Sequence, residues 1–122
     1  MKFKFLVAFL AFVLGTASLV AADGVYKIEE LYAKSTALNG KNIVAKGEVV
    51  KISSGIMGKD WIHIQDSSTT PKKNKVIFTA KIGSANVEVG DKVTARGTLK
   101  EKVDIGAGYF YDILIEKSSF SK

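Results

Sequence analysis

The residues able to do chemistry in this 122-residue chain gather in one stretch. Gly55-Ile56-Met57-Gly58-Lys59-Asp60-Trp61-Ile62-His63-Ile64-Gln65-Asp66 holds the only Trp and the only His, with a thioether at Met57. Period-two alternation over Trp61–Gln65 sets Ile62 and Ile64 on one face of a strand, and Trp61, His63 and Gln65 on the other. The isoleucines suit a core. The other three make a flat, polar-tipped surface with Lys59 and Lys75 at its border. An aromatic on such a surface is what stacking on a base or sugar needs, worth about 1–3 kcal/mol per stacked base. The plainer assignments are that Trp61 caps one end of the fold beneath the Ile56-Met57 loop, and that His63 is an ordinary hydrogen-bonded strand residue.

Catalysis has less to draw on. A nucleophile–base pair needs Ser or Cys beside a His, and His63 has no spaced partner. The chain has no Cys, which excludes disulfides and thiolate chemistry. One His cannot supply a structural zinc site of about four ligands. Neither a phosphate-binding Walker loop nor a dinucleotide fingerprint is present. Met57 and His63 are two soft donors of the kind that hold copper or haem iron, too few for a motif. The expectation is a protein that is not an enzyme, with no catalytic residues, no metal site and no cofactor.

These residues must be positioned by the rest of the chain. Lys2 and Lys4, the apolar run Phe5–Leu14 and the small residues ending in Val20-Ala21-Ala22 read as a signal peptide over 1–22, cut before Asp23. The apolar run is short for a bilayer span, which takes roughly 20 residues. The expectation is therefore a periplasmic or secreted protein with no membrane span after cleavage. Taking 22 residues from 122 leaves 100, enough for one domain with a modest core. Loss of Lys2 and Lys4 brings the net charge from +6 to about +4. A balance of that size permits an anionic partner and also serves solubility alone.

Residues 23–40 carry the one helical pattern: Ile28, Leu31, Tyr32 and Ser35 follow i, i+3, i+4, i+7 spacing. Asn39-Gly40 ends it, with Gly able to take the left-handed conformation. Strands are expected over Asn42–Ile52, Trp61–Asp66, Lys75–Lys81, Asp91–Val103 and Tyr109–Glu116. The glycine loops Ser53–Asp60 and Asp104–Gly108 and a polar turn over Ser67–Asn74 lie between them, and 118–122 reads as a polar tail. The core expected is Ile43, Val49, Ile62, Ile64, Phe78, Val93, Leu99 and Ile113. Gly47 and Gly97 fall inside strands, where a sharp bend without a Cβ is useful. Five short, strongly coiled strands suit a closed barrel over 41–117.

The oligonucleotide/oligosaccharide-binding (OB) fold is a five-stranded Greek-key barrel of this kind. Lys46-Gly47-Glu48-Val49-Val50 and Gly90–Leu99 look like its first and fourth strands. More narrowly, the chain resembles the small exported bacterial OB-fold proteins described as nucleotide- or DNA-binding. Leu31-Tyr32-Ala33, Leu38-Asn39-Gly40-Lys41, Gly55–Asp66, Gly90–Leu99 and Asp104-Ile105-Gly106-Ala107-Gly108-Tyr109 carry the resemblance. The Gly55–Asp66 stretch is its most specific marker. Ser67-Ser68 departs from it, since a Gly-containing turn is usual there.

The resemblance implies an all-β barrel with one N-terminal helix and a ligand laid across the second and third strands. Trp61, His63, Gln65, Lys59, Lys75, Met57 and Tyr109 are the binding residues expected. Gly55, Gly58, Gly106 and Gly108 would offer loop backbone to the ligand. Single-stranded nucleic acid, or another polyanion or oligosaccharide, is the first partner class. An envelope protein docking on the loops is the second, and a metal or redox role through Met57 and His63 the third.

Overall fold

A computed structural model describes residues 24–122, so the leader expected over 1–22 lies outside the described residues. Along the chain run β1 (Val25–Tyr26), α1 (Ile28–Ala33), α2 (Ser35–Leu38), β2 (Asn42–Ile56), β3 (Lys59–Gln65), β4 (Lys75–Lys81), β5 (Lys92–Gly106) and β6 (Tyr109–Ser121). The fold is mostly β. Among the described residues, six strands form one sheet in the order β1-β2-β3-β4-β6-β5, and β2 also pairs with β5, closing a ring.

The ring closes because β2 bends. Its first half, Asn42–Glu48, pairs with β5, while Glu48–Ile56 pairs with β3. Gly47 sits at the bend, where an added Cβ would lie 2.6 Å from the Gln65 carbonyl oxygen and from Ile64 Cγ2. Gly97 plays the same part on β5, with Ile115 Cγ2 at 2.6 Å and the Glu116 carbonyl at 2.8 Å. Both approaches are too close for any side chain, as expected where a barrel turns a corner. The seam between β4 and β6 is thinner: a parallel contact through Phe78 and Ile115. There Thr79 Oγ1 donates to the Ile115 carbonyl at 3.3 Å.

All eight core residues expected from the alternation are buried. Ile28, Leu31 and Leu38 from the helical segment join the same cluster. Each buried aliphatic or aromatic side chain contributes about 1.5–3 kcal/mol.

Several boundaries differ from the sequence expectations. The one helix is two short helices, interrupted where Lys34 departs from helical dihedrals (φ −108°, ψ 17°). The glycine loops are largely strand: β2 runs on to Ile56 and β5 to Gly106, leaving two-residue turns at Met57-Gly58 and Ala107-Gly108. The polar tail is the end of β6, with the Phe120 ring packed edge-on against Phe78 at 6.0 Å.

The helical segment is fastened to the β3–β4 connection. Ile28 N–H donates to Asp66 Oδ2 (2.7 Å), and Glu29 N–H donates to Ser68 Oγ (3.1 Å). In return, Glu29 Oε1 accepts from the Thr70 hydroxyl at 2.7 Å and from the Thr69 and Thr70 amides. Asp66 Oδ1 also accepts from Ser68 N–H at 2.8 Å, so its carboxylate closes the turn. A six-residue helix is too short to persist alone, and these bonds hold it. No helix among the described residues is long and apolar enough to cross a membrane.

Candidate functional site

The two hairpins that close β2 to β3 and β5 to β6 stand over the outer face of β3 and β4. Each turns through two residues of positive φ: Met57 (54°) and Gly58 (77°), then Ala107 (55°) and Gly108 (82°). That is the type I′ pattern, whose twist matches the flanking strands. Each is preceded by a register shift and a positive-φ glycine, Gly55 in one and Gly106 in the other.

Between the hairpins lies a cleft of about 450 Å³. Lys51, Ser53, Ile56 and Met57 line one side, Ile105, Ala107, Tyr109 and Tyr111 the other, with Trp61, His63 and Ile77 as floor. A second hollow of about 540 Å³ continues from it, sharing His63, Ile77 and Tyr111. Its far end is basic and aromatic: Lys72, Lys73, Lys75, Tyr32 and Phe110, with Asp112 as its acid. Each lobe falls within the roughly 300–1,000 Å³ of ordinary ligand sites.

Trp61 is on the outer face, as the alternation requires, but it is not an open stacking platform. It is only 6% exposed, its indole N–H donates to the Ile56 carbonyl at 2.8 Å, and its ring lies 5.9 Å from that of Tyr111. The Ile56-Met57 tip covers it. The exposed aromatic faces are Tyr109 and Phe110, each 58% exposed.

His63 is half-buried at the junction of the two lobes. It pairs across strands with Lys51 on β2 and Ile77 on β4. Burial, then the charges of Lys51 and Lys75, hold its imidazole below the usual histidine range. Both lysine charges thus favour the neutral form of the ring.

The other expected site residues divide. Met57, His63 and Tyr109 meet in the first lobe, and Lys75 lies in the second. Lys59 and Gly58 face a separate groove with Thr79, Lys81 and Glu116. Gln65 belongs to a hollow at the opposite end of β3, with Lys46, Lys92 and Lys122. None of the four loop glycines lines the cleft. Two of their amides are already taken: Gly55 N–H by Asp60 Oδ1 (3.0 Å) and Gly106 N–H by Asp104 Oδ1 (2.8 Å). The glycines serve turn geometry.

Asp60 was not foreseen. It is buried at 7% exposure, and its Oδ2 accepts from Gly83 N–H at 2.9 Å. Those amides, Gly83 first and then Gly55, hold its carboxyl below the usual carboxylate range. Ile105, Ala107, Lys72 and Lys73 were also missed, because only the folding-over of the second hairpin and the polar turn brings them to the cleft.

Met57 and His63 line one cleft, but among the described residues no group of three or more His, Asp or Glu is placed to hold a metal ion. The chain matches no protein-family model, and the curated proteins contain no significant sequence relative of it.

Proposed function

We propose that the protein is an exported OB-fold binding module rather than an enzyme, taking an extended anionic ligand, single-stranded nucleic acid first, across the outer face of β3 and β4. The closed ring β2-β3-β4-β6-β5, returning to β2 with β1 as a two-residue addition, supports a small-barrel reading of this kind. One observation carries the ligand reading. Two hairpins frame a cleft with His63 on its floor and Lys51 and the exposed Tyr109 in its walls, and the hollow that continues from it adds Lys75 and the exposed Phe110. Cations give affinity for a polyanion, and aromatic faces give sequence-tolerant stacking.

Trp61 is the natural reporter, being the only Trp and part of the cleft floor. Titration with single-stranded oligonucleotide is expected to change its fluorescence. The logarithm of affinity should fall with the logarithm of salt at about −0.7 per neutralised phosphate. No response to oligonucleotide, other polyanions or oligosaccharides at low salt would remove the reading.

A second reading, docking of an envelope protein, is favoured by the exposed apolar tips: Ile56, Met57, Tyr109 and Phe110 are each more than half exposed. That reading expects affinity indifferent to salt and lost on making the tips polar.

A further inference from the structure

β4 is fully paired along only one of its edges. Its residues meet β3 in unbroken register, from Lys59↔Lys81 to Gln65↔Lys75. Toward β6 it makes a single pair, Phe78 with Ile115. Continued in parallel, that register would bring Val76 against Ile113 and Lys75 against Asp112. The strands part there instead. A hollow of about 540 Å³ opens between Lys75–Ile77 on one wall and Phe110–Ile113 on the other.

Hydrogen-bond parity shows which main-chain groups face the gap. Asp66 N–H donates to the Asn74 carbonyl at 3.0 Å. Bonding to β3 therefore falls on Val76 and Phe78, and the backbone groups of Lys75 and Ile77 point the other way, into the gap. The Tyr32 hydroxyl donates to the Lys75 carbonyl at 2.8 Å. A side chain thus stands where a neighbouring strand would otherwise bond. Among the described residues, no strand pairs with this part of the edge.

We infer that this edge takes an added strand: an extended acidic peptide, a segment of another protein, laid along β4 in the gap. Lys75 and Ile77 supply the main-chain bonds, which give such a complex its affinity, and alternate side chains give it selectivity. Apolar side chains of the peptide rest on Ile77 and on the exposed Phe110 ring. Its carboxylates face Lys72, Lys73 and Lys75, three exposed cations against the single acid Asp112 in this hollow. The site is a sheet edge, distinct from the hairpin tips and from the outer face of β3, and it rests on neither reading given above.

The test is amide NMR and hydrogen exchange with three acetylated peptides as probes: alternating valine and glutamate, the same with a central proline, and alternating valine and lysine. The valine–glutamate peptide should slow exchange at Lys75 and Ile77 by at least about tenfold at saturation, a mark of main-chain bonding that side-chain contact alone does not leave. The proline peptide should lose binding, because it cannot donate to a ladder at that position. The valine–lysine peptide should bind at least about tenfold more weakly. Lys72→Gln and Lys73→Gln, both at exposed positions, should each weaken the acidic peptide by up to about threefold with the fold intact. The inference is overturned if the acidic peptide binds without slowing those two amides, or if the proline or lysine peptide binds as tightly. Single-stranded oligonucleotide should shift cleft amides without slowing Lys75 or Ile77. If it slows them as the peptide does, the edge is not a peptide site. The ligand reading stands or falls on the oligonucleotide and the strand addition on the peptides, so the two fail separately.

Discussion

The β2–β3 and β5–β6 hairpins turn in the same way, with two positive-φ residues after a bulge, yet they are held differently. At the first tip, Asp60 ties Gly55 and Gly83 together, and Trp61 bonds the Ile56 carbonyl from beneath. At the second, the side-chain bond to the tip is internal, from Gly106 N–H to Asp104, and Tyr109 and Phe110 stand exposed. Identical turns thus give a fixed jaw and a free one. The residues just after each turn set its rigidity: a buried acid and an indole in one, two exposed aromatics in the other. A cleft with one fixed wall can keep its shape while the other adapts to a ligand.

Four substitutions or conditions sharpen that contrast. Trp61→Ala should cost about 3–5 kcal/mol, a large share of the roughly 5–15 kcal/mol available to a small domain, in urea-unfolding curves. Tyr109→Ala, the aromatic on the free jaw, should stay within about 0.5 kcal/mol of wild type in the same curves. Equal costs would show that both jaws are packed alike. Asp60→Ala should raise amide exchange at Gly55 and Gly83 by on the order of tenfold or more, since a local tie is lost without global unfolding. Asp104→Ala should speed exchange only at Gly106.

The pH dependence stems from Asp60. Its folded carboxyl titrates below its unfolded value, so its stabilisation is present above the ordinary carboxylate range near 4 and is lost as pH falls through the depressed value. The first tip should therefore loosen in acid, visible as a red shift of Trp61 emission that Asp60→Asn removes. The smallest effect belongs to the turns themselves. Met57→Asn and Ala107→Asn should each stabilise by about 0.5 kcal/mol in thermal unfolding, because Asn tolerates the left-handed conformation better than Met or Ala.

The barrel wall was legible where burial imposes alternation. Ile62 and Ile64 against Trp61 and His63 fixed the register of β3, and the glycines inside β2 and β5 marked its bends. The hairpin arms were not legible, because Ser53-Ser54-Gly55 and Asp104-Ile105-Gly106 alternate nothing: they are ribbons beyond the core, held by backbone pairing. Trp61 shows the same limit. Its face could be assigned from its neighbours, and a cap beneath the Ile56-Met57 loop was one of its two readings. Alternation could not choose between that and an open platform, because the cover is a tertiary contact. Ser118–Ser121 read as a tail because serines hide a strand whose one large residue, Phe120, reaches Phe78.

The fastening of α1 to the β3–β4 connection has a consequence for a chain made from its N-terminus. Ile28 and Glu29 find their partners at Asp66, Ser68 and Thr70, about forty residues downstream. The first half of β2 waits still longer, for β5 as far as Thr98. Each hairpin can form from its own residues within microseconds of synthesis. The helical segment therefore waits for the β3–β4 connection, and ring closure awaits nearly the whole chain. Until then Ile28, Leu31 and Ile43 remain uncovered on the growing polypeptide. A chain ending before Lys92 holds the β2–β3–β4 meander and an unsealed core, a form suited to capture by a holding chaperone.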